Sequence, residues 1–106
     1  MPAGTLKYFV LGDEDTVLGF ALAGIEGRVA ATREEATAGL EAALEDDRTG
    51  IILITERTAE MIRARVNDYV FSRSFPLIVE IADRLGPVPG RPDLRQMVNR
   101  AIGVKL

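Results

Sequence analysis

The 106-residue chain has no cysteine and no histidine. Without thiols it has neither a disulfide framework nor a cysteine nucleophile. Without imidazole it lacks the common zinc ligands and the usual proton shuttle near neutral pH. Lysine is confined to Lys7 and Lys105. No apolar run approaches the roughly 20 residues that cross a bilayer. The opening Met-Pro-Ala-Gly-Thr has neither the basic start nor the long apolar stretch of a secretory signal, and the missing cysteines are compatible with a cytosolic compartment. Phosphate-cradling glycine loops are also missing: neither Gly-x-x-x-x-Gly-Lys nor Gly-x-Gly-x-x-Gly occurs. A hydrolytic site would have to rest on carboxylates, serines or lysines alone, and no constellation of that kind is evident.

What is present is a chain that is 47% hydrophobic, enough for one small domain with a core that needs no staple. The net charge of −3 argues against a nucleic-acid binder. That charge is uneven. Arg91, Arg95, Arg100 and Lys105 against Asp93 make residues 91–106 net +3, which leaves −6 on the rest. An acidic body with a basic tail suggests two surfaces with different partners.

The apolar run Leu6–Leu11 predicts a first strand covered on both faces. It leads through Gly12 and Asp13, a helix cap, into a helix with Val17, Leu18, Ala21, Leu22 and Ile25 as its inner face. Gly24 and Gly27 are expected to end that helix, with Gly19 allowing a close approach to the strand. A second strand is expected over 28–31. Thr32 and Glu35 form a capping box for a helix burying Ala36, Leu40, Ala43 and Leu44. Ile51–Ile54 reads as a central strand. Thr55 caps a third helix with Ala59, Ile62, Val66, Tyr69 and Val70 inward, and Leu77–Ile81 is a fourth strand. This βαβαβαβ order predicts an α/β fold: a small flavodoxin-like or receiver-like three-layer domain with a four-stranded parallel sheet of order 2-1-3-4.

The body is expected over 1–81, a Pro/Gly-rich linker over 82–92, and a closing amphipathic helix within 93–106. Leu94, Met97, Val98, Ala101 and Ile102 recur at i, i+3, i+4, i+7 and i+8 of that helix, opposite Arg95 and Arg100. Such a stripe must be buried somewhere. It can dock on the chain's own sheet, whose first helix would stand alone on one face, or on a partner.

The carboxyl edge of the sheet should gather Asp13 and Asp15 with Glu56, a weak cation site if the carboxylates converge. The competing reading has Asp13 and Thr55 as helix caps and the acids as complements to helix N-termini. A receiver-type phosphoryl acceptor is not expected. The third strand ends Ile54-Thr55-Glu56 without an aspartate, and no lysine stands between Lys7 and Lys105.

Three segments carry a resemblance. Leu11-Gly12-Asp13-Glu14-Asp15-Thr16-Val17-Leu18-Gly19-Phe20, followed by Leu22-Ala23-Gly24, resembles the N-terminal signature of the F subunit of V-type and A-type rotary ATPases. Ile52-Leu53-Ile54-Thr55-Glu56 and Phe75-Pro76-Leu77-Ile78-Val79-Glu80-Ile81 resemble its third and fourth strands. The resemblance implies a non-catalytic central-stalk subunit without a cofactor, in the cytoplasmic, peripheral part of a membrane-bound complex. Its implied partners are the coiled-coil D subunit of the central stalk, the catalytic A/B hexamer and the connector to the membrane ring, so that ATP turnover is coupled to proton or sodium transport. The implied contact residues are Leu94, Arg95, Met97, Val98, Arg100, Ala101 and Ile102. The alternative is a stand-alone regulatory domain binding a metal or small ligand at the Asp13–Asp15 edge.

Overall fold

The computed structural model describes residues 6–83, 85 and 86. Its elements are β1 (Lys7–Gly12), α1 (Glu14–Leu22), β2 (Glu26–Val29), α2 (Arg33–Glu45), β3 (Thr49–Thr55), α3 (Glu56–Met61), α4 (Arg63–Ser72) and β4 (Leu77–Ile81). The strands pair in parallel in the order β2-β1-β3-β4. This is the expected α/β architecture. The linker beyond residue 86 and the closing helix lie outside the described residues.

The helix starts follow from side-chain caps. Asp13 accepts from the Thr16 amide at 3.1 Å and the Thr16 hydroxyl at 2.6 Å. Thr32 accepts from the Glu35 amide at 3.1 Å, while the Glu35 carboxylate reaches back to the Ala31 amide at 2.8 Å. Thr55 accepts from the Thr58 amide at 3.2 Å. At the other end of α1, Gly24 takes φ +87°. Gly24 N–H donates to Ala21 and Ile25 N–H to Phe20, closing a Schellman turn.

Two boundaries differ from expectation. The tight turn at Gly24 returns the chain to the sheet early, so β2 runs over Glu26–Val29 rather than 28–31. Gly27 therefore does not end the helix; it lies in the strand. A Cβ there would stand 2.3 Å from Val10 Cγ1 and 2.6 Å from the Val10 carbonyl oxygen. The expected third helix is two helices, broken at Ile62 (φ −129°, ψ 38°). No glycine or proline causes this break. Ile62 and Val66 both stay in the core across it, while Arg63 reaches β4.

The alternation of strand residues divides the core. On one face Phe9, Leu11, Ile52 and Ile54 meet Ala36, Leu40 and Ala43 of α2, Ala59 of α3, then Ile62 and Val66. β4 adds Ile78 to the margin of this core and is also held by polar ties. Arg63 forms a fork on Glu80 at 2.6 and 2.9 Å, and the buried Tyr69 hydroxyl donates to Pro76 O at 2.7 Å. On the other face, among the described elements, α1 packs chiefly on β1 and β2.

Candidate partner-binding site

The carboxyl edge of the sheet, where the chain passes from β1 to α1 and from β3 to α3, is a concavity of about 530 Å³ lined in part by Asp13, Thr55, Thr58, Arg57 and Asp83. Ligands of parallel α/β sheets bind at this place. Here the polar groups engage one another. The Thr55 hydroxyl donates to the Thr58 hydroxyl at 2.7 Å. Arg57 Nε lies 3.1 Å from an Asp83 oxygen, and Asp83 also accepts from the Leu85 amide at 2.9 Å. Partial burial works against ionising Asp13. The bonds from the Thr16 hydroxyl and amide outweigh it and hold the carboxyl below its ordinary range.

Asp13, Asp15 and Glu56 do not form the converging set that a cation site needs. Among the described residues, no group of three or more acids is placed to hold a metal ion. Asp13 is engaged in helix capping. Asp13 is committed to the first turn of α1, and Glu56 is the first residue of α3, behind its own cap Thr55.

The opposite situation holds on the α1 face of the sheet. Register places Tyr8, Ile51 and Leu77 in one row and Val10, Leu53 and Val79 in the next, with Ile81 beyond. Val10 is sealed beneath α1 beside Gly27 and Val17. Tyr8 and Leu77 are about half exposed, and Leu6, Phe75 and Leu77 border an apolar groove at the amino edge.

Helix α1 departs from expectation as well. Leu18 and Leu22, expected on its inner face, are 59% and 83% exposed, and no residue of the helix is buried. Val70, also expected inward on α4, is exposed. The signal for α1 was in the sequence: residues 16–25 carry no charge. A helix apolar on every side fits several inner stripes equally well, and it is normally covered on more than one side. The predicted contact residues Leu94, Arg95, Met97, Val98, Arg100, Ala101 and Ile102 lie outside the described residues.

The geometry thus defines a class: a small parallel α/β domain whose carboxyl-edge polar groups cap its own helices and whose α1 face carries exposed apolar side chains. The chain belongs to the family of the ATP synthase (F/14-kDa) subunit, which it matches over residues 9–98, as an F subunit of the A-type and V-type enzymes. It is 42% identical over 106 residues to the A-type ATP synthase F subunit of Pyrococcus furiosus, covering 95% of this chain and 98% of the relative. It is 37% identical over 99 residues to that of Methanothermobacter thermautotrophicus, covering 92% of each. The crystal structure of the V-type ATP synthase F subunit of Archaeoglobus fulgidus shares the fold. Its TM-score is 0.59 at 24% identity, covering 74% of this chain and all of that one. Among the described residues no helix is long and apolar enough to cross a membrane.

Proposed function

We propose that this chain is a non-catalytic central-stalk subunit of an A/V-type ATP synthase. In this reading it binds the coiled-coil D subunit of the stalk within the catalytic A/B hexamer. It lies in the cytoplasmic, peripheral part of the complex, near the connector to the membrane ring, and helps couple ATP turnover to proton or sodium transport. The observation that carries the reading is the near full-length match to A-type ATP synthase F subunits. The carboxyl edge supports it, because its polar groups are engaged in caps and an ion pair rather than arranged around a reacting atom.

Within this function the α/β body over 1–81 is a rigid mount and 82–92 a stiff spacer. Residues 93–106 form a contact helix that lays Leu94, Met97, Val98, Ala101 and Ile102 against the partner, with Arg95 and Arg100 toward its polar groups. Five such side chains at about 1.5–3 kcal/mol each make a gross apolar term of roughly 8–15 kcal/mol, from which ordering costs are subtracted. The test is co-purification of the full chain with the D subunit, then titration calorimetry on Met97→Asp and Val98→Asp. Each substitution is expected to weaken binding at least about tenfold. Unchanged affinity in both would remove the closing helix from the interface.

A further inference from the structure

The sheet ends at β2 on one side and at β4 on the other. Ala30 N–H donates to Gly12 O at 2.9 Å. Backbone groups alternate along a strand, so Glu26 and Arg28 direct theirs toward β1, while Gly27 and Val29 direct theirs to the open edge. Among the described elements nothing pairs with that edge. An open row of this kind is a template for another strand. The side chains alternate too. Arg28 lies over α2, its Cδ 3.3 Å from where a Cβ of Gly39 would stand. Glu26 shares that face and stays largely exposed beside Lys7, which it meets at 2.9 Å. Among the described residues Arg28 has no ion-pair partner.

Charge complementarity selects the occupant. A two-fold axis through the sheet would pair β2 with the β2 of a second copy, antiparallel. A pairing centred on Glu26 sets glutamate against glutamate, and one centred on Arg28 sets arginine against arginine. Centred on Gly27, it sets Glu26 against Arg28 of the other copy, twice. That register also matches the backbone. The two Gly27 residues exchange their outward N–H and C=O bonds, and Glu26 and Arg28 form the non-hydrogen-bonded pairs, in which side chains come closest. The strand is thus self-complementary. β4 is not: its one charged residue, Glu80, has no basic residue in the strand to oppose it and is already forked by Arg63.

We propose that the β2 edge is a self-association surface, on which two copies of the unassembled chain join their sheets antiparallel about Gly27, locked by two Glu26–Arg28 pairs. The helix above the edge fits this arrangement. Strands stand about 4.8 Å apart, so a helix seated over β1 and β2 lies about one strand spacing from the two-fold axis, and its mate about 10 Å away, the ordinary packing distance of two helices. Val17 stands over Gly27. The flank of α1 on that side, Glu14, Leu18 and Ala21, is exposed. An antiparallel mate sets Glu14 of one copy beside the uncharged Ala21 of the other rather than acid against acid. The proposal is independent of the stalk reading; it describes how a chain outside its complex covers an edge strand.

The experiment is sedimentation velocity on the full chain from about 1 to about 500 μM at low salt. The wild type is expected to pass from monomer to dimer within this range. Arg28→Glu and Glu26→Arg each set like charges opposite one another and should weaken dimerisation at least about tenfold. An equimolar mixture of the two variants restores both opposite-charge pairs and should dimerise again. Val29→Pro leaves the charges alone and spares the β1 ladder, because the Val29 N–H points outward; it should block the approach of a second strand. Arg73→Glu makes the same change in net charge as Arg28→Glu at an exposed site after α4, and should leave the dimer intact. Circular dichroism confirms that each variant is folded. A wild type that stays monomeric throughout overturns the proposal. So does a dimer that survives both Arg28→Glu and Val29→Pro, which would place the contact elsewhere. Variants that are each monomeric and remain so when mixed would overturn the register centred on Gly27. None of these outcomes bears on binding to the stalk.

Discussion

The two faces of one sheet are built to different standards. Toward α2, α3 and α4, Leu11, Leu40, Ile52 and Ile54 are fully buried and the margins are stitched by Arg63 on Glu80 and Arg65 on Glu41. Toward α1, only Val10 among the large apolar strand residues is sealed, and the covering helix has no buried residue. The strands carry large apolar side chains on both faces, so among the described residues the difference lies in the cover and not in the sheet. A face left half covered is a stability cost that an isolated domain avoids. A subunit can carry such a face where a partner adds burial on assembly.

This comparison breaks most directly at a matched pair of leucines. Leu40→Ala on the sealed face removes a fully buried side chain and leaves a cavity. A loss of about 2–5 kcal/mol is expected in urea or thermal unfolding of the isolated chain. Leu22→Ala on the open face, at 83% exposure, should stay within about 0.5 kcal/mol. Similar losses at both positions would show that the α1 face is as well packed as the other.

The open face nevertheless has one tight point. Gly27→Ala drives a methyl into Val10 Cγ1 and the Val10 carbonyl, and the backbone atom cannot rotate away. A destabilisation of about 1–3 kcal/mol is expected, visible as a lower urea midpoint. A neutral result would mean that β2 and α1 separate easily, and the contrast between the faces would then reach down to the strands.

These residues also mark how far the sequence could be read. The caps at Asp13, Thr32 and Thr55, the central strand at Ile51–Ile54 and the strand order all follow from local chemistry and chain connectivity, and the structure has them. The inner face of α1 was not legible, because an uncharged run from 16 to 25 satisfies several helical stripes at once. The β2 boundary was misread because Gly27 looks like a terminator. Its need for space comes from Val10, seventeen residues away. The break at Ile62 is set by where Ile62 and Val66 pack and where Arg63 must reach, and no local signal encodes that. At the carboxyl edge Asp13 lines the concavity, whereas Asp15 and Glu56 are not among the residues that line it. Asp13 is committed to capping α1.

The smallest expected effect sharpens the comparison at the seam of the sealed face. Arg65 holds Glu41 by a fork at 2.6 and 3.1 Å, joining α4 to α2. That hydrogen bonding keeps the Glu41 carboxyl below its ordinary range despite partial desolvation. A carboxyl depressed in the folded state adds stability that is fully present above its unfolded value and fades as pH falls through the folded one. Both side chains are more than a third exposed. Solvent screening therefore limits the pair to roughly 0.2–1 kcal/mol at neutral pH. Glu41→Gln should lower Tm slightly at pH 7, and the gap from wild type should close in acid, below the ordinary carboxylate range, as the wild-type carboxyl takes up its proton. Asp13 and Asp46 are depressed too, so both proteins should lose stability in acid, with only the difference between them reporting this seam. A gap that stays constant from pH 7 to pH 3 would show that residue 41 acts through packing, and the seal between α2 and α4 would then be apolar rather than ionic.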